Sequence, residues 1–132
     1  MALGRGAAPA LAWLSACGLV LELALGLAGL RLNLSPSMPR GLYWVGEPRV
    51  LVAGDLVVVC VPASSRSRPA PLDRCRPGEH AILKGIARID AAGLWLAGRH
   101  PAAWDSRFYG AVDPAAVVRR ATPLLVWPRE VR

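Results

Sequence analysis

Residues 7–30 read AAPALAWLSACGLVLELALGLAGL, twenty-four positions whose only charge is Glu22, with Arg5 before them and Arg31 after. A helix rises about 1.5 Å per residue, so roughly 20 apolar residues cross the hydrocarbon core of a bilayer. The run is long enough. A central carboxylate costs about 2.5–3.5 kcal/mol, and each leucine returns about 0.3–0.6. Eight leucines therefore offset Glu22. This segment concentrates the apolar excess of a 132-residue chain that is 54% hydrophobic. Its reading divides the chain into a short cytoplasmic N-terminus with a single-pass transmembrane helix, 1–31, and an extracytoplasmic domain, 32–132. Two processed alternatives are a cleavable secretory signal and a lipoprotein signal, since Leu14-Ser15-Ala16-Cys17 reads as a lipobox. A lipoprotein would turn polar soon after its cysteine. Here Gly18 to Leu30 continue the run, and no small-x-small site bounded by polar sequence follows, so a retained anchor is expected.

The remaining hundred residues hold one small domain. The net charge of the chain is +7, carried by fifteen arginines and a single lysine. The arginines are scattered and form no helical stripe, so nucleic acid is not the expected partner. Arg66, Arg68, Arg74 and Arg76 lie in a stretch broken by Pro62, Pro69, Pro71 and Pro77, which reads as a solvated loop. Elsewhere short β-type runs alternate with turn residues, without a helical period, which predicts a mainly β class built of small antiparallel sheets. Strands are expected at Tyr43 to Val45, Arg49 to Val52, Leu56 to Val61, His80 to Ile89 and Leu94 to Ala97, with an interrupted one at Val117 to Trp127. Ala53-Gly54-Asp55 reads as a turn.

A domain this small gains from a covalent staple. Cys60 and Cys75 flank the Pro/Arg/Ser loop, and closing about 15 residues is worth roughly 3 kcal/mol in the chain-entropy model. A disulfide is expected outside the cytoplasm, the alternative being two free thiols. Cys17 lies within the apolar run and does not compete. Three cysteines fit no zinc-finger spacing, and no metal or cofactor is expected.

No GxSxG, HExxH, CxxC or phosphate-binding loop is present, and neither His80 nor His100 has a Ser/Asp arrangement around it. The chemistry-bearing candidates are Ser35-Pro36-Ser37-Met38-Pro39-Arg40-Gly41-Leu42-Tyr43 and the lysine in Ala81-Ile82-Leu83-Lys84-Gly85-Ile86. Strand alternation puts Lys84 on one face with Ile82 and Ile86. Desolvation there disfavours the ammonium and lowers its pKa from about 10.4, toward the range of a general base. A neutral amine beside a serine hydroxyl is the Ser-Lys form of nucleophilic catalysis. The competing readings are a turn serine between two prolines and an edge-strand lysine that reaches solvent.

The run SPSMPRGLY after an N-terminal membrane helix, the strand with its embedded lysine and Trp104-Asp105-Ser106-Arg107-Phe108-Tyr109-Gly110 together resemble the signal peptidase superfamily. The likeness is nearest to its conjugative-transfer (TraF-like) branch and runs in order from about Leu34 to Trp127. It implies a small domain of coiled antiparallel sheets, Ser37 as nucleophile and Lys84 as general base. It also implies Ser35 as an oxyanion donor beside the Ser37 N–H, with Asp105 and Arg107 as a pair that supports the site. The lone lysine adds an independent point, because a guanidinium stays protonated and cannot act as base. Departures from the family pattern are Gly85 after the lysine, Arg88-Ile89-Asp90-Ala91 in place of a Pro-Gly-Asp turn, and Gly98-Arg99-His100 where a Gly-Asp-Asn type sequence is often found. Ala103 stands where many members carry a hydroxyl that orients the lysine.

The expectation is a membrane-anchored serine endopeptidase on the periplasmic side of a bacterial inner membrane. It would remove leader or signal peptides from translocated proteins of a conjugation or secretion system. Its partners would be a preprotein or pilin precursor and membrane lipid, with Tyr43 and Trp44 dipping into the interface. One alternative is a peptide-cyclising transferase that matures a pilin. The other is a catalytically degenerate assembly subunit of a conjugation apparatus.

Overall fold

The computed structural model describes residues 7–67 and 74–128. Arg5, Arg68, Pro69 and Pro71, and the expected cytoplasmic N-terminus at 1–6, lie outside the described residues. The chain forms two compact units, Met1–Leu30 and Arg31–Arg132. The first is helix α1, Ala7–Ala28, whose 8–28 portion is long and apolar enough to cross a membrane. Leu11, Trp13, Leu14, Val20 and Leu27 are all exposed on it, as side chains that face lipid would be.

The second unit is built on one six-stranded sheet. The strands are β1 (Leu30–Asn33), β2 (Gly41–Gly46), β3 (Leu56–Pro62), β4 (Glu79–Asp90), β5 (Gly93–Ala97) and β6 (Val117–Val126). Their order is β1-β2-β6-β3-β4-β5, and the class is mainly β, with antiparallel pairing. The expected small sheets are thus a single continuous one. β3 reads LVVVCVP, an unbroken apolar run of the kind that suits a strand covered on both faces. Val57, Val59 and Val61 point into a cluster with Ile86, Leu94, Leu96 and Val117. Val58, on the opposite face, packs with Tyr43, Val45 and Ala121.

Pro123 lies within β6 without breaking it. β3 pairs with β6 only as far as Ala121, so Pro123 has a ladder partner on one side alone, Tyr43 of β2. A bulge sits next to it, where the register shifts between Leu42 and Tyr43. Proline is tolerated at such an edge-like position, and the strand is continuous where an interruption was expected.

Two further expectations are corrected. Arg49 to Val52 is not a strand. Pro48 precedes it, and the Asp55 carboxylate takes the Val52 N–H at 3.0 Å while the Asp55 N–H donates to the Val52 carbonyl at 3.1 Å. These bonds turn the segment, and Arg120 anchors Asp55 at 2.8 Å. Tyr43 does not reach an interface, being 1% exposed with its hydroxyl donating to the Pro39 carbonyl at 2.6 Å. Trp44, the next residue on the strand, is on the open face. The Cys60–Cys75 disulfide is present, with Cα atoms 5.5 Å apart, and Cys17 is free.

Candidate active site

Ser37 sits in the turn between β1 and β2. Asn33, at the end of β1, holds that turn from below: its side-chain amide donates to the Pro39 carbonyl at 3.0 Å, and its oxygen accepts the Ser35 N–H at 3.2 Å. Met38, the residue after Ser37, is buried and anchors the turn in the domain. The Ser37 side chain is left half-exposed. Its hydroxyl lies 3.0 Å from that of Ser35, and the Ser35 oxygen also faces the Ser37 N–H at 3.3 Å. The two groups proposed by resemblance as oxyanion donors are therefore adjacent.

Lys84 is 2% exposed. It lies directly opposite Val57 in the β3–β4 ladder, on the face that carries Val59 and Ile86. Burial pushes its pKa below the ordinary lysine value; the negative charge of Asp105 opposes that shift and the positive charge of Arg107 reinforces it. Lys84 is not an edge-strand lysine in solvent. Among the described residues no hydrogen bond joins it to Ser37, whose hydroxyl is paired with Ser35.

What brings the two together is the loop after β5. The Arg99 N–H donates to the Ser37 carbonyl at 2.6 Å. Gly98 is pressed into the site: a Cβ there would lie 3.0 Å from the Ser37 carbonyl oxygen, 3.2 Å from the Lys84 amine, and in collision with the Ala103 methyl. The serine backbone, the lysine amine and Ala103 thus close around one missing side chain. Ala103, itself 3% exposed, presents only a methyl there.

Asp105 fixes this loop. It is 1% exposed and caps the short helix α2, Ser106–Tyr109, by accepting the Arg107 N–H. Gly110 at positive φ ends that helix after a single turn. Arg107 pairs with Asp105 through two bonds, at 2.8 and 2.9 Å, and the Gly98 N–H donates to the same carboxylate at 3.0 Å. Burial raises the Asp105 pKa, but the bonds from Arg107 and from the backbone outweigh it and hold the carboxyl below its ordinary value. Asp105 and Arg107 therefore act on Gly98, and through it on the space between Ser37 and Lys84.

Ser35, Ser37 and Lys84 line one cavity of about 850 Å³. β5 pairs with β4 only from Gly85 onward, so the outer edge of Glu79–Lys84 has no strand partner among the described residues. Ala81, Ile82 and Leu83, on that stretch, also line the cavity. Arg66 closes another part of its wall, over Phe108 and Trp104. The Trp104 indole N–H and the Tyr109 hydroxyl are buried without a partner among the described residues. Asn33 and Gly98 belong to the site but carry no sequence signal of their own, since each acts through a tertiary approach. Comparison with protein-family models, curated proteins and solved structures finds no match.

Proposed function

We propose that this chain is a membrane-anchored serine endopeptidase of the signal peptidase class, using a Ser37/Lys84 dyad to remove leader peptides from translocated proteins. One observation carries the reading: the only lysine of the chain is buried against apolar residues in the wall of the cavity that holds Ser35 and Ser37. A solvated lysine would need no such placement. Burial favours the neutral amine, which is the form able to take a proton. Ser37 Oγ attacks the scissile carbonyl, its proton passes to Lys84, and the tetrahedral oxyanion is met by the Ser37 N–H and the Ser35 hydroxyl. The proton is then given to the leaving amine, and water resolves the acyl-enzyme. The edge of β4 that has no strand partner among the described residues offers backbone groups to an extended substrate strand.

The setting proposed is the periplasmic side of a bacterial inner membrane, in a conjugation or secretion system. The spanning-length helix and the disulfide support it. Exposed Leu32, Trp44, Leu124 and Leu125, on the neighbouring strands β1, β2 and β6, give this unit exposed apolar surface suited to a bilayer. Mass spectrometry of a pilin-like precursor incubated with the detergent-solubilised chain tests the proposal. A product that has gained one water supports hydrolysis, and a cyclic product without it supports the transferase. Ser37→Ala and Lys84→Arg should both be inactive. Undiminished turnover in either removes the dyad, and no product with the wild-type chain favours an assembly subunit.

A further inference from the structure

The basic side chains that line the cavity are Arg66, Lys84 and His100, with no aspartate or glutamate among its described lining residues. The Arg66 guanidinium carbon lies 4.9 Å from the Phe108 ring centroid and 5.9 Å from that of Trp104, and the two rings are stacked at 5.2 Å. Cation–π contact holds the charge at the ring face while leaving N–H donors free for a carboxylate. Among the described residues no carboxylate takes them. The ion pairs among the described residues belong to Arg88, Arg107, Arg119 and Arg120. Asp105, the nearby buried acid, already receives Arg107 and two backbone N–H groups. A neutral Lys84 would leave Arg66 as the permanent charge of the cavity wall, held in place before any substrate arrives.

We infer that Arg66 selects a carboxylate in the peptide that fills the cavity, so that the substrate class is a translocated peptide with Asp or Glu close to the cleaved bond. This rests on the peptidase reading and adds to it the charge of the substrate. An anionic lipid headgroup has comparable chemistry, but a guanidinium that shares a cavity wall with Ser37 favours the peptide.

The test is binding, measured without turnover. The full-length chain carrying Ser37→Ala, in neutral detergent, is titrated into labelled alanine-based peptides in which Glu, Gln or Lys is walked through each position. At one position Glu should bind about fivefold more tightly than Gln, as for a partly exposed ion pair. The preference should vanish with Arg66→Gln and turn to Lys with Arg66→Glu. Equal binding of Glu and Gln peptides at every position overturns the inference. So does a preference that survives Arg66→Gln, or an Arg66 effect seen only with phosphatidylglycerol vesicles. Incubating the same peptides with the wild-type chain separates the two claims. Discrimination without cleavage keeps the carboxylate site and removes the peptidase, cleavage without discrimination does the reverse, and neither binding nor cleavage removes both.

Discussion

Gly98→Ala is the smallest change that tests how the site is assembled. The added methyl meets three groups: the Ala103 methyl, the Ser37 carbonyl at 3.0 Å and the Lys84 amine at 3.2 Å. They differ in how easily they yield. The amine ends a flexible chain and moves at little cost, whereas the Ala103 Cβ is fixed to the backbone of a loop tied down by Asp105 and Arg107. Overpacking of this kind costs about 1–3 kcal/mol, against a gain of about 0.4–1 kcal/mol from the reduced entropy of the unfolded chain. A net loss of about 1–2 kcal/mol is expected, read as a lower midpoint in urea unfolding of the full chain in detergent, followed by tryptophan fluorescence. Ala103→Gly opens the space that the new methyl needs. On its own it costs about 1 kcal/mol, from a lost buried methyl and a freer unfolded chain. The double variant should then be more stable than the sum of the two single losses by about 1 kcal/mol. Effects that add to within about 0.5 kcal/mol would refute the argument that Gly98 and Ala103 share one space.

Lys84→Met should stabilise the fold while abolishing the proposed peptidase activity. The folded-state pKa lies below 10.5, so the native chain binds fewer protons than the unfolded one between the two values and stability rises with pH across that interval. The stabilisation by methionine is therefore greatest below the folded pKa, at about 1.4 kcal/mol per unit of depression, and shrinks toward pH 10.5; a pH-independent effect in chemical denaturation would contradict it. Asp105→Asn should cost about 1–3 kcal/mol near neutral pH, because it weakens bonds to an ionised group. The depressed Asp105 pKa adds stability that is complete above the unfolded value and lost as pH falls through the folded one, so the gap between wild type and variant should close in acid. Replacing Cys60 and Cys75 by serine should remove up to about 3 kcal/mol, checked by thermal unfolding with and without reductant. Equal midpoints in oxidised wild type and the double variant would assign the bond no stabilising role.

Elements that announce themselves by local pattern were legible in the chain, and those made by distant groups were not. The apolar run of α1, the valine run of β3 and the alternation around Lys84 each state their environment within a few residues, and the cysteine spacing points to a loop closure. β1 is hidden because it begins on Leu30, the last residue of the apolar run, and its four residues are too few to show an alternation of their own. Arg49 to Val52 reads like a strand, yet it is bent by Asp55, a residue whose carboxylate is held from β6 by Arg120. The helix α2 is one turn, too short for any period. Its signal is a cap at each end, Asp105 and Gly110, which inspection for periodicity passes over. The site divides in the same way. Ser37 and Lys84 stand out in the sequence by motif resemblance and by the chemistry of the only lysine. That they line one cavity depends on Gly98, which has no side chain to be noticed, and on Asn33, which looks like an ordinary turn residue. In sequence Arg66 reads as part of a solvated loop, because nothing near it in the chain reveals Trp104 and Phe108. Its place in the cavity wall comes from the sheet order, which sets β3 and β4 beside each other, with β5 next to β4. The loop carrying Arg66 leaves from the end of β3, the aromatic pair follows β5, and a contact between residues so far apart in the chain has no local trace.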